Sequence, residues 1–149
     1  MMRIAYVCAD GGIPVFGDKG GSVHVRSMVR AFRAIGHEVH VLCAEAGDGI
    51  ADFPVEAIGP SFPPAVDRAS KERRLLAIAQ RIEERLTALH ADRPFDMIYE
   101  RYGLWSAAGV RAAERLSIPV VVEVNAPLVQ EQAAFRAFVL RDEATAIEA

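Results

Sequence analysis

The chain has 149 residues, of which 52% are hydrophobic and 25% charged, and its formal net charge is −3. That length fits one domain with a proper core, and that composition excludes a disordered chain. Arginines interleaved with aspartates and glutamates exclude a nucleic-acid binder held by bulk attraction.

An apolar strand is predicted over about Arg3 to Ala9. It empties into the loop DGGIPVFGDKGG and then into a helix over about Val23 to Ile35, with Gly36 as its stop. In that helix Val25, Met28, Val29, Phe32 and Ile35 form one apolar stripe. A strand that passes through glycines to a helix start builds an anion site. The first N–H groups of the helix are unpaired and carry partial positive charge, and glycines let a phosphate approach. Gly17, Gly20 and Gly21 are the loop glycines, and Ser22 is read as the N-cap. Their spacing is G-x-x-G-G, which matches neither the dinucleotide fingerprint nor a Walker A loop, because Lys19 precedes the glycine pair. Glycines that only form a turn are the alternative.

Strand two is predicted over Glu38 to Ala44 and a short strand over Val55 to Ile58. A long helix follows over about Arg68 to Ala91, with Leu75, Ile78, Ala79, Ile82, Leu86 and Leu89 on one face. Pro94 breaks the chain before the strand FDMIYERY. A small-residue helix is predicted over Leu104 to Leu116, and then the strand VVVEV, whose apolar run predicts a central place covered on both faces. From Pro127 the pattern is helical to the end. Cys8 and Cys43 lie at strand ends without metal or redox spacing and read as buried free thiols of a reducing compartment. His37, His40 and His90 lack metal-ligand spacing, so no metal is expected. There is no signal peptide or membrane-spanning run, which places the domain in the cytoplasm and leaves open a peripheral association with the inner face of the membrane.

Strand–helix alternation of this kind predicts an α/β fold: a Rossmann-like parallel sheet with helices on both faces. Ligands of such folds bind at the carboxyl ends of the strands. That rule selects the loop from Asp10 to Ser22, then Glu100, Arg101 and Tyr102, then Glu123 and Asn125. Arg101 and Tyr102 can bind a substrate by charge or stacking, or form a salt bridge and a packed ring. Glu123 and Asn125 can hydrogen-bond a sugar or cap the next helix. A glycosidase-like pairing of Glu100 with Glu123 is disfavoured, because strand ends in this fold gather acids without catalysis. His24, in the first turn of helix one, can meet a phosphate or sugar hydroxyl, or be a surface histidine.

The stretch MRIAYVCADGGIPVFGDKGGSVHVRSMVRAFRAIGHEVHVLCA resembles the opening of a family 4 glycosyltransferase of the GT-B fold. FDMIYERYGLWSAAGVRAAERLSIPVVVEVNAP is similar to a second stretch of the family, ending in its Asn-Ala-Pro turn. The resemblance implies the acceptor-binding, N-terminal half of a retaining enzyme of hexosyltransferase type. It implies a nucleotide sugar, UDP- or GDP-linked, as donor, and a carbohydrate, lipid or small molecule as acceptor, without metal or cofactor. Gly20, Gly21 and Ser22 then lie against the donor diphosphate. His24, Arg101, Tyr102, Glu123 and Asn125 are the acceptor-side candidates. The donor domain with its E-x7-E glutamate pair is expected outside this chain, which alone is expected to be inactive. Many relatives carry a histidine where this chain has Asn125, so that histidine's role is not carried over. Two other readings are a non-catalytic module that binds a ligand or partner, and a dinucleotide-dependent oxidoreductase domain in which Glu45 would hold a ribose.

Overall fold

The computed structural model describes residues 1–136 and 138–149. Five strands form one parallel sheet in the order β3-β2-β1-β4-β5. They are β1 (Arg3–Cys8), β2 (Glu38–Cys43), β3 (Val55–Ala57), β4 (Met97–Arg101) and β5 (Val120–Glu123). The helices are α1 (Gly20–Ala34), α2 (Arg68–Asp92), α3 (Ala108–Leu116), α4 (Leu128–Phe135) and α5 (Arg141–Glu148). The expected Rossmann-like α/β fold is present.

Side-chain alternation along β1 divides the core. Ala5, Val7 and Ala9 face α2 and α3 and join Ile78, Ile82, Leu86, Ala112 and Ala113. Tyr6 and Cys8 face the other way and join Val25 and Val29 of α1. Helices therefore cover both faces, as a parallel sheet requires. The centre is β1, whose Ile4, Ala5, Tyr6, Val7 and Cys8 are all 0% exposed.

Local signals set several element ends. Asp67 accepts the Ser70 N–H at 2.7 Å and caps α2, whose apolar stripe is buried or half-buried as its spacing predicts. Gly36 follows α1 with φ +92°, and its N–H and that of His37 close back on Arg33 and Phe32 carbonyls. Both cysteines are buried free thiols, and burial pushes the Cys8 thiol up to about 12.

Four expectations are corrected. The VVVEV strand is not central: β5 pairs only with β4, and Val121 and Val122 are 46% and 38% exposed. An apolar run states what a strand can bury, whereas strand order is set by crossovers. Helix α1 begins at Gly20, so its N-cap is Lys19 and Ser22 lies inside the first turn, while Ile35 is the exposed C-cap. Helix α3 begins at Ala108, after a turn over Gly103 to Ser106. The region after Pro127 is two helices, separated where Glu72 takes the Val139 and Leu140 N–H groups. Residue 137, inside that helical expectation, lies outside the described residues.

Leu42→Ala, deep between β1 and α2, should cost about 2–5 kcal/mol in urea unfolding. Val121→Thr should stay within about 0.5 kcal/mol of wild type. A central β5 would reverse the second expectation.

Candidate functional site

The chain leaves β1 toward β2 on one side and returns to β4 on the other. Loops that leave β1 and β4 therefore diverge, and a crevice opens at their carboxyl ends. A cleft of about 660 Å³ occupies that place. Residues 9–13 after β1 and Leu104 and Trp105 after β4 border it, with Lys19 and residues of α2 and α4.

The loop after β1 is held by its own polar groups. Asp10 Oδ1 accepts the Gly12 N–H at 2.8 Å, and Lys19 Nζ donates to the Gly12 carbonyl at 3.0 Å. Arg26 reaches back from α1 to the carbonyls of Val15 and Gly17 at 2.9 and 2.6 Å. These contacts bring the chain into α1 with its first-turn N–H groups clear of the loop's own bonds. Above Gly20 an added Cβ would meet nothing within 4 Å, whereas at Gly21 it would meet Ile13 Cδ1 at 2.9 Å. Neither glycine has a positive φ, and at Gly21 the close approach of Ile13 is the reason for glycine. Ser22 is 0% exposed and its Oγ has no hydrogen-bond partner.

Four candidates meet beside this helix start. Glu123, at the end of β5, accepts hydrogen bonds from Tyr99 Oη at 2.7 Å, Arg101 Nη1 at 2.8 Å and Asn125 Nδ2 at 2.8 Å. His24 Nε2 stands 3.0 Å from the same carboxylate. Burial pushes the Glu123 carboxyl up, but hydrogen bonds from Tyr99, Asn125 and His24 outweigh it and hold the group below its ordinary value. When His24 donates from Nε2, its Nδ1 is left as an acceptor. Tyr6 stacks on Tyr99 with ring centroids 5.2 Å apart, and the buried Tyr6 hydroxyl and Arg101 Nε lack partners.

The other candidates lie elsewhere. Tyr102 donates its hydroxyl to Glu148 Oε1 at 3.0 Å, away from the Glu123 group. Glu100 is buried on the opposite face of the sheet, where its carboxylate accepts from Val110 N at 3.0 Å and Ser106 Oγ at 3.3 Å. It caps the start of α3, and Gly109 permits that approach, since a Cβ there would stand 2.6 Å from Glu100 Oε2. The two glutamates thus do not form a pair, as their alternation along adjacent strands requires. Glu45, at the end of β2, is 3.5 Å from Arg74 Nη1. None of His24, Arg101, Tyr102, Glu123 and Asn125 borders the cleft itself. Lys71 and Arg136 do border it, and strand-end reasoning misses both because one sits on α2 and the other at the C-cap of α4. The signal for Lys71 was present in the spacing of Arg68, Lys71, Glu72 and Leu75, one face of α2.

Arg101 and Glu123 are 12% and 15% exposed, so removing one charge leaves the other buried. Glu123→Gln should destabilise the chain at pH 7 by about 3 kcal/mol in urea unfolding. The Glu123 pKa is depressed by folding, so its contribution is present above the ordinary value of 4.5 and is lost as pH falls through the folded value. The gap between wild type and variant should therefore close in acid, because protonation removes the same charge from the wild type.

Residues 19–146 match the model of the family described as "Glycosyl transferase 4-like domain". Among solved structures, the C-terminal domain of the PF1911 hydrogenase from Pyrococcus furiosus is similar with a TM-score of 0.58 and 14% identity. That match covers 82% of this chain and 91% of that one. The glycosyltransferase SsfS6 of Streptomyces sp. SF2575, complexed with thymidine diphosphate, is similar with a TM-score of 0.51 and 20% identity. It covers 90% of this chain and 44% of that one. Both likenesses concern the fold. No curated protein matches significantly. The family model covers most of the chain, from just before α1 into α5: the chain belongs to the glycosyl transferase 4-like domain family.

Proposed function

We propose that this chain is the acceptor-side domain of a retaining, nucleotide-sugar-dependent glycosyltransferase. The observation that carries the reading is the start of α1. Its first N–H groups, those of Gly20, Gly21 and Ser22, take no part in the loop's bonds. Open space lies above Gly20, and the buried Ser22 hydroxyl beside them has no partner. A donor diphosphate suits that place by charge and by hydrogen bonding. A related fold in SsfS6 has been crystallised with thymidine diphosphate.

In this reading the diphosphate lies against α1 while the acceptor occupies the cleft. His24 lies within one further turn of the glycine pair, and Glu123 sets which imidazole nitrogen faces outward. Arg101 and Asn125 hold Glu123 ionised and oriented. None of these four side chains borders the cleft, so they serve the helix start and not the body of the acceptor. The donor-binding domain lies outside this chain, so the chain alone transfers no sugar. No helix among the described residues is long and apolar enough to cross a membrane.

Gly20→Val is the discriminating variant. A Cβ there meets no protein atom within 4 Å, so the fold should be unaffected. At Gly21 the same change would strike Ile13 and confuse stability with activity. In an enzyme that joins this chain to its donor-binding domain, Gly20→Val should lower kcat/KM at least tenfold, about 1.4 kcal/mol, with an unchanged Tm. An unchanged kcat/KM would show that no donor group approaches this helix start.

A further inference from the structure

Helix α2 turns Arg68, Lys71, Glu72 and Leu75 to the cleft, and α4 turns Leu128, Glu131, Gln132 and Phe135. Each set follows the i, i+3, i+4, i+7 spacing of one helix face. Helix α4 buries none of its residues, and Phe135 is 85% exposed. Two helix faces thus border one open space.

The charges around that space are unequally engaged. Of its acids, Asp10 is bonded to the Gly12 N–H, and Glu72 is 4% exposed. Glu72 accepts the Val139 and Leu140 N–H groups at 3.0 and 2.8 Å, which fastens the start of α5 to α2. Glu131 is the remaining acid. Four cations border the cleft: Lys19, Arg68, Lys71 and Arg136. Among the described residues, Lys71 and Arg136 form no ion pair. Beside these cations lie the apolar side chains of Leu75, Leu104 and Trp105, and the exposed ring of Phe135. Burying that apolar surface favours an apolar occupant, and the unpaired cations favour an anion on it. Several cations at one opening suit a phosphate monoester, which carries a charge of about −1.5 to −2 at pH 7.

We propose that the cleft binds an acceptor with a phosphate group on an apolar body. The phosphate meets Lys71 and Arg136, and the body lies on Leu104, Trp105 and Phe135. The word acceptor rests on the glycosyltransferase reading above; the binding does not. A volume of about 660 Å³ admits a molecule of that kind.

The test is calorimetric titration of this chain with octyl phosphate below its micellar concentration, beside inorganic phosphate, glucose 6-phosphate and octyl glucoside. Octyl phosphate should bind at least tenfold more tightly than each of the other three. The double variant Lys71→Gln, Arg136→Gln should lose at least tenfold of that affinity with an unchanged Tm, since both side chains are exposed. Octyl glucoside binding as tightly would overturn the anionic half, and glucose 6-phosphate binding as tightly would overturn the apolar half. Full affinity in the double variant would overturn the site. If octyl phosphate binds as expected but the joined enzyme transfers no sugar to any acceptor, the site stands and the glycosyltransferase reading fails. If the joined enzyme transfers sugar equally well with the double variant, that reading stands and the cleft is not where its acceptor binds.

Discussion

Strand β1 is bonded along one edge to β2 and along the other to β4, and the rest of the molecule is arranged around that double pairing. Because β1 has neighbours on both sides and helices on both faces, Ile4 to Cys8 are removed from water completely. The same pairing forces the chain to reverse direction across the sheet. The loops after β1 and β4 cannot close over each other, and the crevice between them is the geometric consequence. The cleft is therefore part of the fold.

Alternation along the strands then sorts the polar groups. Glu100 and Arg101 are adjacent in sequence and serve opposite faces. Glu100 is buried under α3, where burial pushes its carboxyl up while the Gly109 and Val110 N–H groups and Ser106 pull it down. Arg101 meets Glu123 on the α1 face, so a capping carboxylate and a carboxylate beside the start of α1 coexist within one pair of strands. The partnerless atoms of Tyr6, Ser22 and Arg101 belong to residues on the α1 side. Among the described residues, buried side-chain polar atoms without a partner therefore gather on the face where α1 presents its N-terminus.

Elements whose own periodicity carries their burial were legible in the sequence: β1, β2, the body of α1, and α2 almost to the residue. The place of β5 was not, because Val120 to Val122 report hydrophobicity and not strand order. The division between α4 and α5 was not, because it depends on Glu72, 67 residues away along the chain from Val139. The start of α1 came earlier than predicted, since glycines are poor helix formers in the interior but tolerable at the first positions, where N–H groups have no helical partner anyway. At the site, the strand-end rule found Glu123, the first turn of helix one marked His24, and packing of α1 beside β5 brought them to 3.0 Å. Lys71 and Arg136 escaped it because helices, not strand ends, deliver them to the cleft.

The central claim is that the start of α1 is where a diphosphate binds. Amide NMR of this chain during titration with uridine diphosphate tests it most directly, since weak binding is sufficient to shift amide resonances. The account predicts the largest shifts at the N–H groups of Gly20, Gly21 and Ser22, with smaller ones at Asp10 to Gly12. Shifts confined to residues remote from α1, such as β3 or the exposed face of α3, or no shifts at millimolar ligand, would contradict it.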